Sequence, residues 1–329
     1  MKVLVLQLKR IGDLVLTTPA LLALRHQHPQ AHITLVVAPG CAGLLPAIRG
    51  IDHASHSSQP WTWLHTLPGR WDLCLDFTGS DRSALLCGLS RARERRTFAS
   101  VQRRRWKAVA YNRWVEADVR AEHTIDHCLK LVGDPAGARE PSLSIPVTAE
   151  SAAGQLLLEH GIAGPFVLIH PGTARMEKYW ETDRWAEVIA HLQATHGLRC
   201  VLTGGSHPYE LAHAAAIRAA APGVTDLAGK CSLLGLSAVI ARARLVLSCD
   251  TATVHLAAAF QRPQIALFGP TNPAHWRPRH PAAVVLSATH PDKPLETFNP
   301  RMPGAPMHRL STAAVIRATE GLLARSTPL

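Results

Sequence analysis

The stretch LVLSCDTATVHLAAAFQRPQIALFGPT, Leu245–Thr271, decides the fold class. Leu245–Cys249 is a short apolar run of the kind that makes a buried strand. Asp250 and Thr251 carry side chains suited to a helix N-cap, and Val254–Phe260 has helical composition. Gln261-Arg262-Pro263 breaks that helix, and Gln264–Phe268 is a second apolar run closed by Gly269-Pro270. Strand, tight turn, helix, strand is the unit from which helix-covered parallel sheets are built. A helix that starts at the carboxyl end of such a strand aims free N–H groups and a positive partial charge at its ligand, which suits a phosphate. Taken alone, Asp250-Thr251 reads first as an ordinary cap, and His255 as an ordinary core histidine.

The same alternation runs through the chain. Val3–Leu8 is a buried-strand run, Arg10-Ile11-Gly12-Asp13 its turn, and Leu14–His26 has apolar residues at helical spacing. Gly12 suits a turn that needs a permissive backbone. Asp13 then stands at the carboxyl end of the first strand, either as an N-cap carboxylate or as a general base. Further strands are expected at His32–Val37, around Leu73–Phe77, at Phe166–His170 and at Cys200–Gly205, with helices between them. Asp76 ends its strand on the same edge as Asp13; it either binds hydroxyls of a substrate or terminates the strand. Pro135–Pro146 reads as the approach to a linker, Ala149–His160 as a helix, and Gly161–Pro165 as a break. This divides the chain into domains 1–160 and 161–329. The segment from Thr271 to Pro306 reads as loop, and a helix is expected near Thr312–Ala324.

At 329 residues, 47% hydrophobic and 18% charged, the chain is a globular protein with room for two ordinary cores. No apolar run approaches the roughly 18 residues of a membrane span, and the start lacks a signal-peptide cleavage site. The seven cysteines form no CxxC pair and read as reduced, mostly buried thiols. A cytoplasmic location is expected. The net charge of +11 suits nucleic acid, an anionic membrane surface or a phosphorylated substrate. No HExxH pattern is present, no two aspartates are spaced DxD, and no metal is expected.

Arg91–Lys107 is the most basic segment, with eight cationic residues against the single Glu94 and with Trp106 inside it. A charge run is ordinarily a solvated face. Nucleic acid is the rival, but no RRM, KH or zinc-finger spacing supports it. In the second half, Pro171–Arg175 followed by Lys178 offers Thr, Arg and Lys after a strand, a reasonable diphosphate cradle without P-loop spacing. Glu210 opens the helix after the next strand, where a carboxylate either accepts ribose hydroxyls or complements the helix dipole.

Three segments in this order, KRIGDLVLTTPAL, HPGTARMEKYW and CDTATVHLAAAFQRPQIALFGPT, resemble the motifs of glycosyltransferase family 9, the bacterial heptosyltransferases. The Asp-Thr-Ala form, followed by Trp276-Arg277-Pro278, looks most like the heptosyltransferase III branch. The resemblance implies an α/β fold of two Rossmann-like domains facing across a cleft, the glycosyltransferase-B arrangement. The N-terminal domain would bind the acceptor and the C-terminal one the nucleotide-sugar donor. It also implies inverting transfer of heptose from ADP-heptose to the lipopolysaccharide inner core. Asp13 would be the catalytic base. Thr173, Arg175, Lys178, Glu210, Asp250, Thr251, Ala252 and His255 would hold the donor. Arg10 and Gly12, with Arg103, Arg104 and Arg105 of the basic run, would meet an anionic lipid-linked acceptor or the cytoplasmic membrane face.

No cofactor, metal or nucleic-acid partner is implied. The alternatives are another nucleotide-sugar donor or glycan acceptor, an NAD oxidoreductase, or a nucleic-acid-binding protein. An NAD site is disfavoured because LKRIGD stands where GxGxxG would follow the first strand.

Overall fold

The computed structural model describes residues 1–59, 71–134 and 136–325. The chain divides into two compact units, Met1–Ser144 and Ile145–Leu329. The boundary therefore precedes the expected 160/161 division. The helix Val147–Glu159 packs on the helix Leu233–Arg242 of the second unit, and so falls to that side.

Each unit is built on one six-stranded sheet, and every strand pairing is parallel. The first sheet runs β3-β2-β1-β4-β5-β6. Its strands are β1 (Lys2–Gln7), β2 (His32–Val37), β3 (His53–His56), β4 (Leu73–Asp76), β5 (Glu94–Phe98) and β6 (Arg113–Val115). The second runs β12-β11-β10-β7-β8-β9, with β7 (Phe166–His170), β8 (Arg199–Leu202), β9 (Thr225–Asp226), β10 (Leu245–Cys249), β11 (Gln264–Phe268) and β12 (Ala283–Ser287). Counted from the start of its own unit, each sheet has the doubly wound order 3-2-1-4-5-6. The order reverses between β1 and β4 in one sheet and between β7 and β10 in the other. A ligand crevice forms outside the carboxyl ends at that point, because the chain leaves toward opposite faces on its two sides.

The continuous apolar runs at 3–6, 166–169 and 245–247 follow from helices covering both sheet faces, which leaves no solvent side to alternate with. Trp180 and Trp185 fill the centre of the second unit, edge to face at 5.0 Å. The Trp180 Nε1–H donates to the Leu310 carbonyl at 3.0 Å. All seven cysteines are free, six of them buried.

Two expectations need correction. The segment after Pro270 is not only loop: Ala283–Ser287 is the outer strand β12, paired with β11 along its length. Gly12 is the second residue of the helix Ile11–Gln27 and has no positive φ, so the turn from β1 is made without glycine's freedom.

Candidate functional site

In the first unit, β1 ends at Gln7 and the helix Ile11–Gln27 begins four residues later, with Arg10 as an exposed N-cap that offers no side-chain cap. Asp13 stands in the first turn, where the backbone N–H groups of Arg10 and of Asp13 itself favour its charged form. Burial holds the Asp13 carboxyl above the ordinary aspartate value, against the opposing charges of Lys9 and Arg10. Burial, with a smaller contribution from the Asp13 charge, pushes the nearby Cys41 thiol up to about 11. A partly desolvated carboxylate at a sheet switch point is a better proton acceptor than a solvated one.

Across the switch point, Asp76 ends β4 and is fully buried. Its Oδ1 accepts the N–H groups of Thr78 at 2.7 Å and Gly79 at 3.1 Å, and its Oδ2 accepts the Tyr111 hydroxyl at 2.5 Å. Ser83 adds a further side-chain bond. With its lone pairs taken from within, Asp76 terminates the strand.

The Arg91–Lys107 run separates into anchors and exposed groups. Glu94–Phe98 within it is strand β5, which the charge density concealed. Arg95 donates to the carbonyls of Ala110 and Ala92, and Arg96 to Glu94 and the Leu131 carbonyl. Lys107 is buried, bonded to the Gly79 carbonyl at 3.0 Å and paired with Asp81 at 2.6 Å. Arg103 and Arg104 are exposed, whereas the side chain of Arg105 lies outside the described residues. Beside them Trp106 is 55% and Val109 80% exposed, and Leu85 and Leu89 also face solvent.

In the second unit the loops after β7 and β10 meet at the switch point. Lys178 Nζ lies 2.5 Å from Asp250 Oδ2 and 3.4 Å from the Asp250 carbonyl, with both side chains largely buried. Lys178 is held there because Trp180, two residues on, is locked into the core. Thr251 caps the helix Ala252–Ala259, its Oγ1 accepting the Thr253 N–H at 3.2 Å. His255 is buried one turn into that helix, and its Nδ1 has no hydrogen-bond partner. Burial pushes the His255 imidazole down to about 4, so it is neutral at pH 7.

Thr173 is buried on the β7 loop, its Oγ1 accepting the Arg175 N–H at 3.4 Å. Arg175 itself reaches Glu177 at 2.6 Å in an exposed turn. Glu210, in the first turn of the helix Pro208–Ala220, accepts the Gly205 N–H at 2.8 Å. It also packs on Gly172, where a Cβ would stand 2.3 Å from Glu210 Oε2, so any larger residue there would displace the Glu210 carboxylate.

Lys178, Asp250, Thr251 and His255 thus come together, with Thr173 and Glu210 on the neighbouring strand ends. Sequence reasoning did not foresee the Lys178–Asp250 ion pair, the Tyr111–Asp76 bond, or buried His170 bonded to Thr203 Oγ1 at 3.0 Å. The ion pair spans 72 positions of the chain, so no local pattern announces it.

The comparisons with known proteins bear on the family and the fold. Residues 62–301 match the family model described as glycosyltransferase family 9 (heptosyltransferase). Lipopolysaccharide heptosyltransferase 3 of Escherichia coli is 27% identical over 286 residues, covering 81% of this chain and 83% of that protein. The crystal structure of a family 9 glycosyl transferase from Veillonella parvula superposes with a TM-score of 0.82 at 21% identity, covering 99% of this chain and 97% of that one. The E. coli ADP-heptose lps heptosyltransferase II gives 0.81 at 21% identity, covering 99% of both chains. The likeness to these structures extends the shared glycosyltransferase-B fold over essentially the whole chain. With the family model covering most of its length, the chain is a glycosyltransferase and belongs to glycosyltransferase family 9, the heptosyltransferases.

Proposed function

We propose that this enzyme transfers a heptose from ADP-heptose to the inner core of lipopolysaccharide, with inversion at the anomeric carbon. The observation that supports it most is the cluster at the second switch point: a buried lysine, an aspartate and a capped helix N-terminus, beside Thr173 and Glu210. Such a set suits a nucleoside diphosphate sugar. Lys178 and the first N–H groups of the helix Ala252–Ala259 stabilise charge on the diphosphate. Glu210 accepts the ribose hydroxyls, and Arg175 leaves Glu177 for a phosphate oxygen. Asp250 turns to the hydroxyls of the sugar, since its charge repels the phosphates.

Asp13 accepts the proton of the attacking acceptor hydroxyl. The acceptor oxygen bonds to the anomeric carbon as the carbon–phosphate oxygen bond breaks, and ADP leaves with that electron pair. Lysine, arginine and the helix end take the place of a divalent ion, and the reaction runs without metal.

The acceptor is an anionic lipid-linked oligosaccharide, met by Arg10, Gly12 and the exposed arginines of the first unit at the cytoplasmic membrane face. Among the described residues no helix is long and apolar enough to cross a membrane. The support for peripheral contact is the patch formed by Leu85, Leu89, Trp106 and Val109. The Lys107–Asp81 ion pair and the approach of Gly88 to Ala110 hold its two helical segments side by side. Exposed Arg82, Arg91, Arg93, Arg103 and Arg104 surround it. Apolar and aromatic groups rimmed by arginine suit an anionic headgroup layer.

Thermal melting with ADP, UDP, GDP and NAD, followed by transfer assays with the matching sugar nucleotides, tests the donor. ADP should raise the melting temperature most, because a ligand of the folded state stabilises it by mass action. A larger shift with UDP, GDP or NAD would reassign the donor or the enzyme class.

A further inference from the structure

The second unit holds one side-chain cluster that the transfer chemistry does not use. His191 and His196 lie on the last turns of the helix Thr182–His196, and Glu320 on the helix Thr312–Arg325 packed against it. Nε2 of each imidazole stands 2.7 Å from the same oxygen, Glu320 Oε1. The rings are 6.3 Å apart and inclined at 73°. Positions five apart on a helix point about 140° away from each other. These two rings therefore meet only because both swing across to the one carboxylate.

All three ligand atoms lie within 4.8 Å of one another. Zinc binds imidazole nitrogen and carboxylate oxygen at roughly 2.0–2.2 Å, which sets neighbouring ligands about 3.3 Å apart in a tetrahedron. Fitting that size asks each Nε2–Oε1 distance to widen by roughly 0.6 Å and the two Nε2 atoms, up to 4.8 Å apart, to close by roughly 1.5 Å. The side chains are 30%, 27% and 38% exposed, so they have room to do so and leave a solvent-facing position for water. His196 is also the last residue of its helix, where carbonyl groups without helical partners favour a cation.

The cluster's place in the fold separates it from the donor site. The helix Thr182–His196 leaves the carboxyl end of β7 and delivers the chain to the amino end of β8 at Arg199. The histidines at its far end therefore stand at the opposite edge of the sheet from Thr173, Lys178 and Asp250.

We infer that His191, His196 and Glu320 form a surface site for a divalent transition metal of the zinc type, clamping the C-terminal helix to the helix Thr182–His196. Each Nε2 binds a metal only when it carries no proton, so a ring that now donates from Nε2 to Glu320 must hold its proton on Nδ1 once zinc is bound.

The test uses the full chain, stripped with chelator and titrated with ZnCl2 or MgCl2 by calorimetry and thermal melting. One zinc ion per chain should bind at pH 7.5 and raise the melting temperature, and Mg²⁺ should do neither. His191→Gln/His196→Gln should weaken zinc by at least about tenfold, since loss of an outer partner of a metal ligand alone costs 10–100-fold. Its metal-free melting temperature, compared with that of stripped wild type, separates a lost metal from lost hydrogen bonds. Initial sugar-transfer rates should be the same with zinc and with EDTA, so this result stands apart from the donor assignment. Absence of zinc binding would leave a proton-sharing cluster only and overturn the inference. Undiminished binding in the double variant, or transfer that requires the metal, would do so too.

Discussion

At the switch point of the first sheet, aspartates end or follow both adjacent strands, Asp13 after β1 and Asp76 on β4; at that of the second, a lysine follows β7 and an aspartate follows β10. The two sheets share one strand order, so the difference lies wholly in what the loops carry. In the first, Asp76 is consumed by Tyr111, Thr78, Gly79 and Ser83, and Asp13 remains with a raised pKa. In the second, Lys178 and Asp250 neutralise each other. Topology decides where a ligand can sit. The side chains left unspent by folding decide which chemistry is done there.

The largest expected effect tests the first switch point. Asp13→Asn keeps the shape of the side chain but cannot take the proton, and turnover should fall by about 10²–10⁴-fold. ADP affinity, measured by calorimetry, should not change. Near-normal turnover would remove Asp13 from the mechanism.

At the second switch point, Lys178→Ala should weaken ADP by about 1.5–3 kcal/mol, the worth of a hydrogen bond to a charged group. Lys178→Arg should recover only part, because a planar fork does not replace a compact ammonium. The ion pair adds a sharper expectation. If Asp250 competes with the diphosphate for Lys178, Asp250→Asn should bind ADP at least as tightly as wild type while kcat/KM for the full donor falls. Weaker ADP binding in Asp250→Asn would mean that the pair acts as one fixed unit.

The smallest expected effect lies on the surface of the first unit. Neutralising Arg103, Arg104 and Arg105 should raise the acceptor KM a few-fold and leave the donor KM alone. Added salt should shrink the difference, since exposed charges are screened over about 8 Å at physiological ionic strength. Equal acceptor KM at low salt would end the acceptor reading, and lost RNA or DNA binding with intact transfer would replace it. Arg95 and Arg96 should behave differently. Arg95 holds the Ala110 carbonyl ahead of β6 and Arg96 the Leu131 carbonyl at the end of the helix Thr124–Val132, so replacing them should lower the melting temperature rather than change the acceptor KM.

The alternation of apolar runs with helical segments was enough to read both doubly wound units, because strands buried on two faces cannot hide their hydrophobicity. It located the strand ends that carry Asp13, Thr173 and Asp250 to within a residue or two. It failed where that signal is absent or was overlooked: Glu94–Phe98 is a strand written largely in charged residues, whereas Ala283–Ser287 is an apolar run, AVVLS, passed over between stretches rich in proline and histidine. Residue type alone did not tell Asp76 from Asp13, since both are aspartates at strand ends.

What separates them is Tyr111, brought from 35 positions away. Lys178 meets Asp250 across 72 positions, and Glu320 meets His191 across 129. Sequence by itself determined the fold class, the family motifs and the loops that carry the chemistry, because these rest on local periodicity and short-range turns. Only the tertiary structure decided which charged groups are spent on folding and which stay available. Burial and pairing depend on contacts between strand ends and helices that are distant in the chain.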